Sequence, residues 1–300
     1  MKKYIYCLLA INIALPSCGD KMTVTEDGNI EAGKFSVYYE NTYNETTKKN
    51  GAIIFLHAGL QDHTMWKTQV EELSKDYQVI TIDMPFHGKT LGSDTTILAA
   101  DVVKTVLDKL GIQKISVAGL SMGGSVAQDF IIAYPDRVNK AIFIASGVNG
   151  YEVDHPVDSI SSRWWGSFKE ALDKKDTAAA AKEFTKAWAE GVYRSGDSLK
   201  APVSQYVYKT TLDNLRNHKM ESWPKLKSDP TAYASIASIK VPVLIIDGDK
   251  DLPFLVQNSA WLAKTIPGAK RITIKDVAHM LNMEKPGEVN KAIMDFLKNP

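Results

Sequence analysis

The stretch "GLSMGG", residues 119–124, places a serine between glycines where two different sequence patterns meet. The run 115–118 before it is short and apolar, which is typical of a buried strand. After it, apolar residues recur at helical spacing over 126–134 and stop at Pro135. The sequence therefore predicts a strand, a sharp turn with Ser121 at its apex, and a helix.

A turn this tight needs small residues on both sides of its apex, and Gly119 and Gly123 provide them. The Ser121 hydroxyl would then project above the edge of the sheet. A serine hydroxyl is a weak nucleophile until a neighbouring base takes its proton, and that base is oriented by a third group. The turn therefore predicts a histidine and a carboxylate as partners, both further along the chain.

Candidates for both partners follow late apolar runs. The acidic loop 247–251 follows the run 243–246, and His279 follows the run 271–274. The order serine, aspartate, histidine differs from the orders in chymotrypsin-type and subtilisin-type proteases. We therefore expect three side chains from separate loops to form one catalytic site.

The composition is that of a globular protein without a strong charge bias. The chain has 300 residues, of which 44% are hydrophobic and 24% charged. Its 36 Lys and Arg residues balance 35 Asp and Glu residues, so nothing suggests a nucleic-acid partner. The six histidines are scattered and there are only two cysteines, so we expect no metal site and no cofactor.

The apolar runs recur along the chain with helical patterns, such as 97–110, between them. They lie at 52–56, 79–82, 115–118, 141–145, 243–246 and 271–274. Runs that are apolar on both faces predict parallel strands covered by helices on both sides. Earlier, 35–40 alternates like a strand and Asp27–Gly28–Asn29 is typical of a hairpin turn. We expect an α/β fold with a doubly wound, mostly parallel sheet.

One connection is far longer than the others. Roughly ninety residues separate the run ending at 145 from the run beginning at 243, whereas connections usually have about 2–6 residues. We therefore expect a helical lid over 150–235, inserted into a core formed by 31–149 and 236–300. Of its tryptophans Trp164, Trp165 and Trp188, we expect one or two to line an apolar pocket and the rest to form the lid's own core.

The N-terminus has the pattern of an export signal. Lys2 and Lys3 precede the apolar stretch 4–15, which is too short to span a membrane and fits a signal-peptide core. The following Leu15–Cys18 resembles the lipobox of bacterial lipoproteins. We expect a signal peptide over 1–18, a tether over 19–30, and an exported protein anchored to a membrane, in the periplasm or at the cell surface, through a lipidated Cys18. An ordinary signal peptide with an incidental cysteine is the alternative.

Five motifs together resemble the α/β-hydrolase superfamily, in the branch of enol-lactonases, carboxylesterases and carbon–carbon bond hydrolases. The resemblance covers the chain from about residue 33 to its end. The motifs, in chain order, are "FLHAGLQDHTMW", "VITIDMPFHGKT", "GLSMGG", "PVLIIDGDKD" and "AHMLNMEKPGEVNKAIMDFL". Their order is the order in that family, which makes the resemblance far more specific than any one motif.

The resemblance implies a role for each member of the catalytic site. Ser121 would be the nucleophile and His279 its general base. Asp251 would orient the imidazole, since the family places its acid three residues after the loop glycine, here Gly248. Asp249 remains a rival for this role, because only two residues separate it from Asp251.

The resemblance also implies an oxyanion hole formed by the backbone N–H groups of Met122 and Gly59. Ala58 stands where the family commonly has glycine, so whether residue 58 or 59 donates remains open. His57 and Trp66 are further candidates for the substrate pocket, with packing as the alternative role for Trp66.

Three polar residues near these motifs have other expected roles. Asp83 and His87 would hold their loop in shape, and His63 would face the solvent.

Serine at the turn distinguishes the chain from haloalkane dehalogenases and epoxide hydrolases, which resemble it but carry aspartate there. The resemblance therefore implies hydrolysis of a small-molecule ester or lactone through an acyl-enzyme intermediate. A carbon–carbon bond hydrolase, a thioesterase, an amidase and peroxide chemistry remain open within this fold. A ligand-binding protein with little turnover is the alternative from another class.

Overall fold

The computed structural model describes residues 23–93, 97–150, 159–194, 201–218 and 231–298. The expected signal peptide, Cys18 and the first part of the expected tether lie outside the described residues. Within the described ranges, no helix combines the length and the hydropathy that crossing a membrane requires.

The described strands form a single nine-stranded sheet. They are β1 (Val24–Ala32), β2 (Phe35–Tyr43), β3 (Ala52–Leu56), β4 (Gln78–Ile82), β5 (Leu91–Gly92), β6 (Ile115–Leu120), β7 (Val138–Ile144), β8 (Val243–Gly248) and β9 (Lys270–Ile274). The order is β1-β2-β4-β3-β6-β7-β8-β9, with β5 paired to β2. From β4 to β9 all neighbours are parallel, whereas β1, β2 and β5 pair antiparallel. The mostly parallel sheet expected from the apolar runs is therefore present.

The described α-helices connect or cover these strands. They are α1 (Thr47–Asn50), α2 (Lys67–Leu73), α3 (Ala99–Lys109), α4 (Met122–Ala133), α5 (Ser159–Asp173), α6 (Thr177–Thr185), α7 (Ala201–Asn217), α8 (Ala232–Ser235), α9 (Pro253–Thr265), α10 (Leu281–Glu284) and α11 (Pro286–Lys298). Short 3-10 turns lie at His63–Trp66, Pro135–Arg137 and Ile236–Ser238, and a π-helical turn at Lys186–Glu190 follows α6.

Alternate residues of β3 contribute to two separate hydrophobic cores. Ile54 and Leu56 pack in the core that includes α3 and α4, whereas Ile53 and Phe55 pack in the core that includes α2 and α11. Successive strand residues point to opposite faces, so a strand buried on both sides must be apolar throughout. This burial explains why the central strands read as continuous apolar runs.

The start of the chain differs from the expectation. Residues 24–30, expected to belong to a tether, form most of β1, and Asp27, Gly28 and Asn29 all pair with residues of β2. The hairpin turn lies at Gly33 and Lys34 instead, where Ala32 pairs with Phe35. The tether and hairpin predictions were wrong here because pairing with β2 overrides the local turn preference of an Asp-Gly-Asn sequence.

The long connection between β7 and β8 contains α5, α6, the π-helical turn, α7 and α8. This region corresponds to the expected lid, of which 151–158, 195–200 and 219–230 lie outside the described residues. We refer to two of its described ranges, residues 159–194 and 201–218, as the helical insertion. Trp164, Phe168 and Phe184 of the helical insertion are buried in the same core as Ile53 and Phe55.

Candidate active site

Ser121 occupies the sharp turn between β6 and α4. Its backbone has φ 55° and ψ −115°, a conformation that destabilises a residue with a side chain by about 1–3 kcal/mol. A Cβ atom on Gly119 would lie 2.2 Å from the Gly123 carbonyl oxygen. A Cβ atom on Gly123 would lie 2.1 Å from the Leu56 carbonyl oxygen. Both glycines are therefore required by close backbone approach, which is the physical content of the pattern "GLSMGG".

His279 and Asp251 form a buried hydrogen-bonded pair from the loops that follow β9 and β8. His279 Nδ1 lies 2.7 Å from Asp251 Oδ2, and the two side chains are 2% and 1% exposed. The other carboxylate oxygen of Asp251 accepts from the backbone N–H of Leu252 at 2.7 Å. Because a carboxylate can only accept, the proton of the neutral imidazole lies on Nδ1. Nε2 is then the ring nitrogen that can take a proton.

Asp249 has different contacts. One of its oxygens accepts from the backbone N–H of Asp276 at 2.7 Å, and the other lies 3.6 Å from Lys275 Nζ. Asp249 therefore joins the loops after β8 and β9, whereas Asp251 is the aspartate that contacts His279.

Ser121 and His279 line a common cavity of about 230 Å³. The other lining residues are mostly apolar: Ala58, Gly59, Leu60, Met122, Trp165, Phe168, Phe184, Trp188 and Met280. The Trp188 ring lies against the His279 imidazole, with 4.4 Å between the ring centroids. The cavity thus places a hydroxyl and an imidazole in an apolar environment.

The two expected oxyanion donors both border this cavity. Met122 is the first residue of α4, where a backbone N–H has no partner within the helix. The Ala58 N–H already donates to Met65 Sδ at 3.4 Å. The geometry therefore favours Gly59 over Ala58 as the second donor.

His57 and Trp66, expected to contact substrate, belong to the core instead. His57 is fully buried, its Nδ1 donates to the Ala58 carbonyl at 2.8 Å and its Nε2 accepts from the Met84 N–H at 2.8 Å. Burial lowers the pKa of His57, so the ring stays neutral. Trp66 is fully buried, with its ring 4.8 Å from that of Phe55. Packing directs both side chains away from the cavity, so the pocket role was wrong for His57, and Trp66 has the packing role that was its alternative.

The tryptophans of the helical insertion divide in two. Trp165 and Trp188 line the cavity, whereas Trp164 does not. Trp164 is 7% exposed and donates from Nε1 to the Glu183 carbonyl at 2.6 Å, so it belongs to the core of the helical insertion. Phe168 also lines the cavity, although it was not predicted to. Its position three residues after Trp165, on one face of α5, is the signal that could have identified it.

A buried ion pair connects the helical insertion to the loop of His279. Arg194 Nη1 lies 2.6 Å from Glu284 Oε2, and each side chain is 6% exposed. Arg194 Nη2 also donates to the carbonyl of Ala189, in the same π-helical turn as Trp188, at 2.6 Å. Glu284 Oε1 accepts from the N–H of Ala278 at 3.3 Å. These contacts hold the segment carrying Trp188 against the segment carrying His279.

His63 lies in a second buried histidine–carboxylate cluster, outside the cavity. It is 4% exposed, so the expectation that it faces solvent was wrong. Nδ1 lies 2.8 Å from Asp83 Oδ1 and Nε2 lies 3.1 Å from Glu40 Oε1. Burial opposes the charge, but the hydrogen bonds to Asp83 and Glu40 outweigh it and raise the pKa of His63 to about 9. These carboxylates direct the imidazole inward, away from the solvent.

Asp83 holds its loop, as expected, by accepting from the backbone N–H of Lys89 at 2.7 Å. His87 Nδ1 lies 2.9 Å from the Pro85 carbonyl, and burial lowers the pKa of His87 to about 3. In the part of the chain that the structure describes, no group of three or more His, Cys, Asp or Glu residues is arranged to hold a metal ion.

Comparison with known proteins agrees with this architecture. A carboxylesterase of Bacillus subtilis (strain 168) is 26% identical over 254 residues, which cover 82% of this chain and 80% of the relative. A 2-hydroxy-6-oxononadienedioate/2-hydroxy-6-oxononatrienedioate hydrolase of Burkholderia vietnamiensis is 27% identical over 274 residues, which cover 85% and 90% of the two chains. The crystal structure of the enol-lactonase from Burkholderia xenovorans LB400 superimposes with a TM-score of 0.68 at 23% identity, covering 89% of this chain and 99% of that chain.

The family defined by the α/β-hydrolase fold matches residues 51–286, a range that runs from the residue before β3 to the first residue of α11. Since this match spans most of the chain, the protein is a member of the α/β-hydrolase family of enzymes.

Proposed function

We propose that the protein is a serine hydrolase that cleaves small, uncharged esters or lactones through an acyl-enzyme intermediate. Ser121 is the nucleophile, His279 the general base, and Asp251 the acid that orients the imidazole. One observation carries the proposal: His279, hydrogen-bonded to Asp251 at 2.7 Å, lines the same apolar cavity as Ser121.

The proposed reaction has two halves. In the first, Ser121 Oγ attacks the carbonyl carbon while His279 Nε2 takes the hydroxyl proton, and Asp251 stabilises the imidazolium that forms. The backbone N–H groups of Met122 and Gly59 donate to the oxyanion, and His279 then returns its proton to the departing alkoxide. In the second half, His279 activates a water molecule that hydrolyses the ester on Ser121.

The cavity supports a substrate without charge. Its lining, among the described residues, contains no Lys or Arg, and its volume of about 230 Å³ suits a short acyl group. The Burkholderia vietnamiensis relative, by its name, acts on dicarboxylates. Carboxylates buried without a cationic partner would be strongly unfavourable here, which supports ester or lactone hydrolysis over the carbon–carbon bond alternative.

We propose that the helical insertion serves as the lid of this cavity. Four aromatic residues from α5, α6 and the π-helical turn support the role, because they supply one wall of the cavity: Trp165, Phe168, Phe184 and Trp188. The lid would then exclude water and set the length of the acyl group.

The experiment that tests the enzymatic proposal is steady-state hydrolysis of p-nitrophenyl esters from acetate to decanoate. Wild type should turn over repeatedly, with a preference for short chains. Ser121→Ala should abolish turnover, whereas the control Ser125→Ala, one helical turn further along, should retain it. A single slow reaction without turnover would favour a ligand-binding protein, and cleavage of a carbon–carbon substrate in place of the esters would favour that alternative.

We further propose that the protein is exported and anchored to a membrane through a lipidated Cys18. The support is the sequence pattern of residues 1–18. Mass spectrometry of the mature protein should find an N-terminal acylated Cys18, and Cys18→Ala should release the protein from the membrane fraction. An unmodified N-terminus beyond Cys18 would contradict the anchor.

A further inference from the structure

Helix α7 of the helical insertion binds the loop of Gly59 through hydrogen bonds. Asn214, on α7, is 3% exposed and donates from Nδ2 to the carbonyl oxygens of Leu60 at 3.0 Å and Gln61 at 3.3 Å. These two residues directly follow Gly59. Gln61 Nε2 also donates to the Leu60 carbonyl, at 2.9 Å. The buried amide of Asn214 adds a contact from α7 to the backbone next to one of the two proposed oxyanion donors.

The same amide reaches a second loop. Asn214 Oδ1 accepts from the backbone N–H of Gly88 at 2.8 Å. Gly88 belongs to the loop after β4, and a Cβ atom there would lie 2.3 Å from Asp83 Oδ2, so this segment is closely packed. Asn214 thus joins α7 to two loops. Its amide N–H group binds the loop after β3, and its amide oxygen binds the loop after β4.

The loop after β3 needs such support because its backbone is unfavourable by itself. Leu60 has φ 58°, in the left-handed region that a residue with a branched side chain rarely adopts. Such a conformation persists only where the surrounding structure imposes it. Leu60 and Gly59 both line the cavity, so relaxation of Leu60 would move the Gly59 N–H from its position.

Other contacts along α7 point to the same loop. Thr211 Oγ1 accepts from Gln61 Nε2 at 3.0 Å, and Tyr206 donates to Asp62 Oδ1 at 3.1 Å. These bonds hold side chains of the loop. Asn214 differs from them because it binds the backbone carbonyls of the two residues that follow Gly59.

We propose that Asn214 is a positioning residue of the oxyanion hole: it holds the Gly59 N–H, from the helical insertion, in the direction that an oxyanion on the Ser121 adduct requires. The inference rests on the proposed serine-hydrolase function. A preorganised donor acts on charge that develops in the transition state, so its displacement lowers kcat and leaves ground-state binding nearly unchanged.

The test compares two asparagines on one helix. Asn217 also lies on α7 but is exposed, so Asn214→Ala and Asn217→Ala make the same chemical change. Only Asn214→Ala removes the hydrogen bonds of Asn214 to Leu60, Gln61 and Gly88, which we call the clamp. Asn214→Asp is a second variant that keeps the acceptor for the Gly88 N–H and loses the donors to Leu60 and Gln61. Because it keeps the side-chain volume, it remains informative if Asn214→Ala fails to fold.

Three measurements are made on each full-length variant. They are kcat and KM on a short p-nitrophenyl ester, the rate at which a fluorophosphonate labels Ser121, and amide hydrogen exchange of the segment 57–62. In the labelling reaction the Ser121 oxygen bonds to phosphorus, fluoride leaves and His279 takes the proton, so this reaction depends on the same donors without requiring the natural substrate.

We expect both Asn214 variants to lose about tenfold to a hundredfold in kcat and in labelling rate, with KM nearly unchanged. Exchange of the segment 57–62 should be faster, and Asn217→Ala should match wild type in all three measurements. Unchanged exchange or an unchanged kcat in the Asn214 variants would overturn the inference, as would an equal loss in Asn217→Ala. If wild type turned over no ester, the proposed function would fail separately, and exchange of the segment 57–62 would still decide whether the clamp exists.

Discussion

Two buried histidines in this protein each contact a carboxylate at nearly the same distance, yet their surroundings give them opposite properties. His279 Nδ1 lies 2.7 Å from Asp251, and His63 Nδ1 lies 2.8 Å from Asp83. His63 has a second carboxylate, Glu40, 3.1 Å from its other ring nitrogen. The imidazole of His279 instead borders the apolar cavity that contains Ser121.

The difference lies in the surroundings of Nε2, which contacts a carboxylate in His63, whereas His279 lines the cavity that also contains Ser121. A histidine between two carboxylates remains protonated, with a pKa of about 9, and has no lone pair for a further proton at neutral pH. A histidine with one carboxylate and one nitrogen available can take a proton from a hydroxyl and return it. A histidine–carboxylate contact therefore identifies a general base only when the other ring nitrogen is left for the substrate or the nucleophile.

The largest expected effect comes from exchanging each histidine for glutamine. His279→Gln should lower kcat for ester hydrolysis by about 10³-fold or more, because no other group takes the Ser121 proton. His63→Gln should leave kcat close to that of wild type. Initial rates of the two purified variants on one ester provide the measurement. A comparable loss in His63→Gln would contradict the distinction between the two clusters.

The two aspartates Asp251 and Asp249 can be compared in the same way, to test which of them orients His279. Asp251→Asn should lower kcat by about 10²–10⁴-fold, since an amide at this position favours the wrong imidazole tautomer. Asp249→Asn, two residues away, should keep most of the activity, because the amide oxygen still accepts from the Asp276 N–H and only the ion pair with Lys275 is lost. Turnover that survived in Asp251→Asn and vanished in Asp249→Asn would reverse the assignment of the acid.

The second cluster should appear in the pH dependence of stability. The pKa of His63 is raised from an unfolded value of about 6.5 to about 9, so the protonated ring stabilises the fold fully below about pH 6.5. This contribution is lost as the pH rises through about 9. Denaturant unfolding should show the wild type losing about 3 kcal/mol more than His63→Gln between these pH values. Parallel pH profiles of the two proteins would show that His63 is not held as a cation.

The smallest effect concerns the aromatic ring beside each imidazole. Trp188 lies 4.4 Å from His279 and lines the cavity, whereas Tyr38 lies 4.9 Å from His63 and donates to Glu40 at 3.1 Å. Trp188→Leu should change the preference among acyl chain lengths by about tenfold, measured as ratios of kcat/KM. Tyr38→Phe should leave those ratios unchanged and lower the free energy of unfolding by about 1 kcal/mol. Unaltered chain-length ratios in Trp188→Leu would show that Trp188 does not shape the acyl site.

The sheet was predictable because its physical requirements are local. Strands buried on both faces must be apolar throughout, and the turn at Ser121 must have glycines where backbones approach within a few ångströms. The same reasoning failed at residues 27–29, where pairing with β2 is a property of the assembled sheet and overrides a turn preference.

Side-chain direction was much harder to predict. Trp164 and Trp165 are neighbours on α5, yet one packs inside the helical insertion and the other lines the cavity. His63 appeared polar and was expected in solvent, because the two carboxylates that contact it, Asp83 and Glu40, are 20 and 23 residues away in the sequence. The clamp made by Asn214 has no local signal either, since it spans 154 residues of sequence to reach Leu60.

The left-handed backbone of Ser121 places catalysis and thermal stability in conflict at a single position. Glycine adopts φ 55° without steric penalty, so a chain optimised only for resistance to heat would carry glycine at residue 121 and lose its nucleophile. A redesign of this protein guided by stability alone would remove its proposed reactive group unless residue 121 were held fixed.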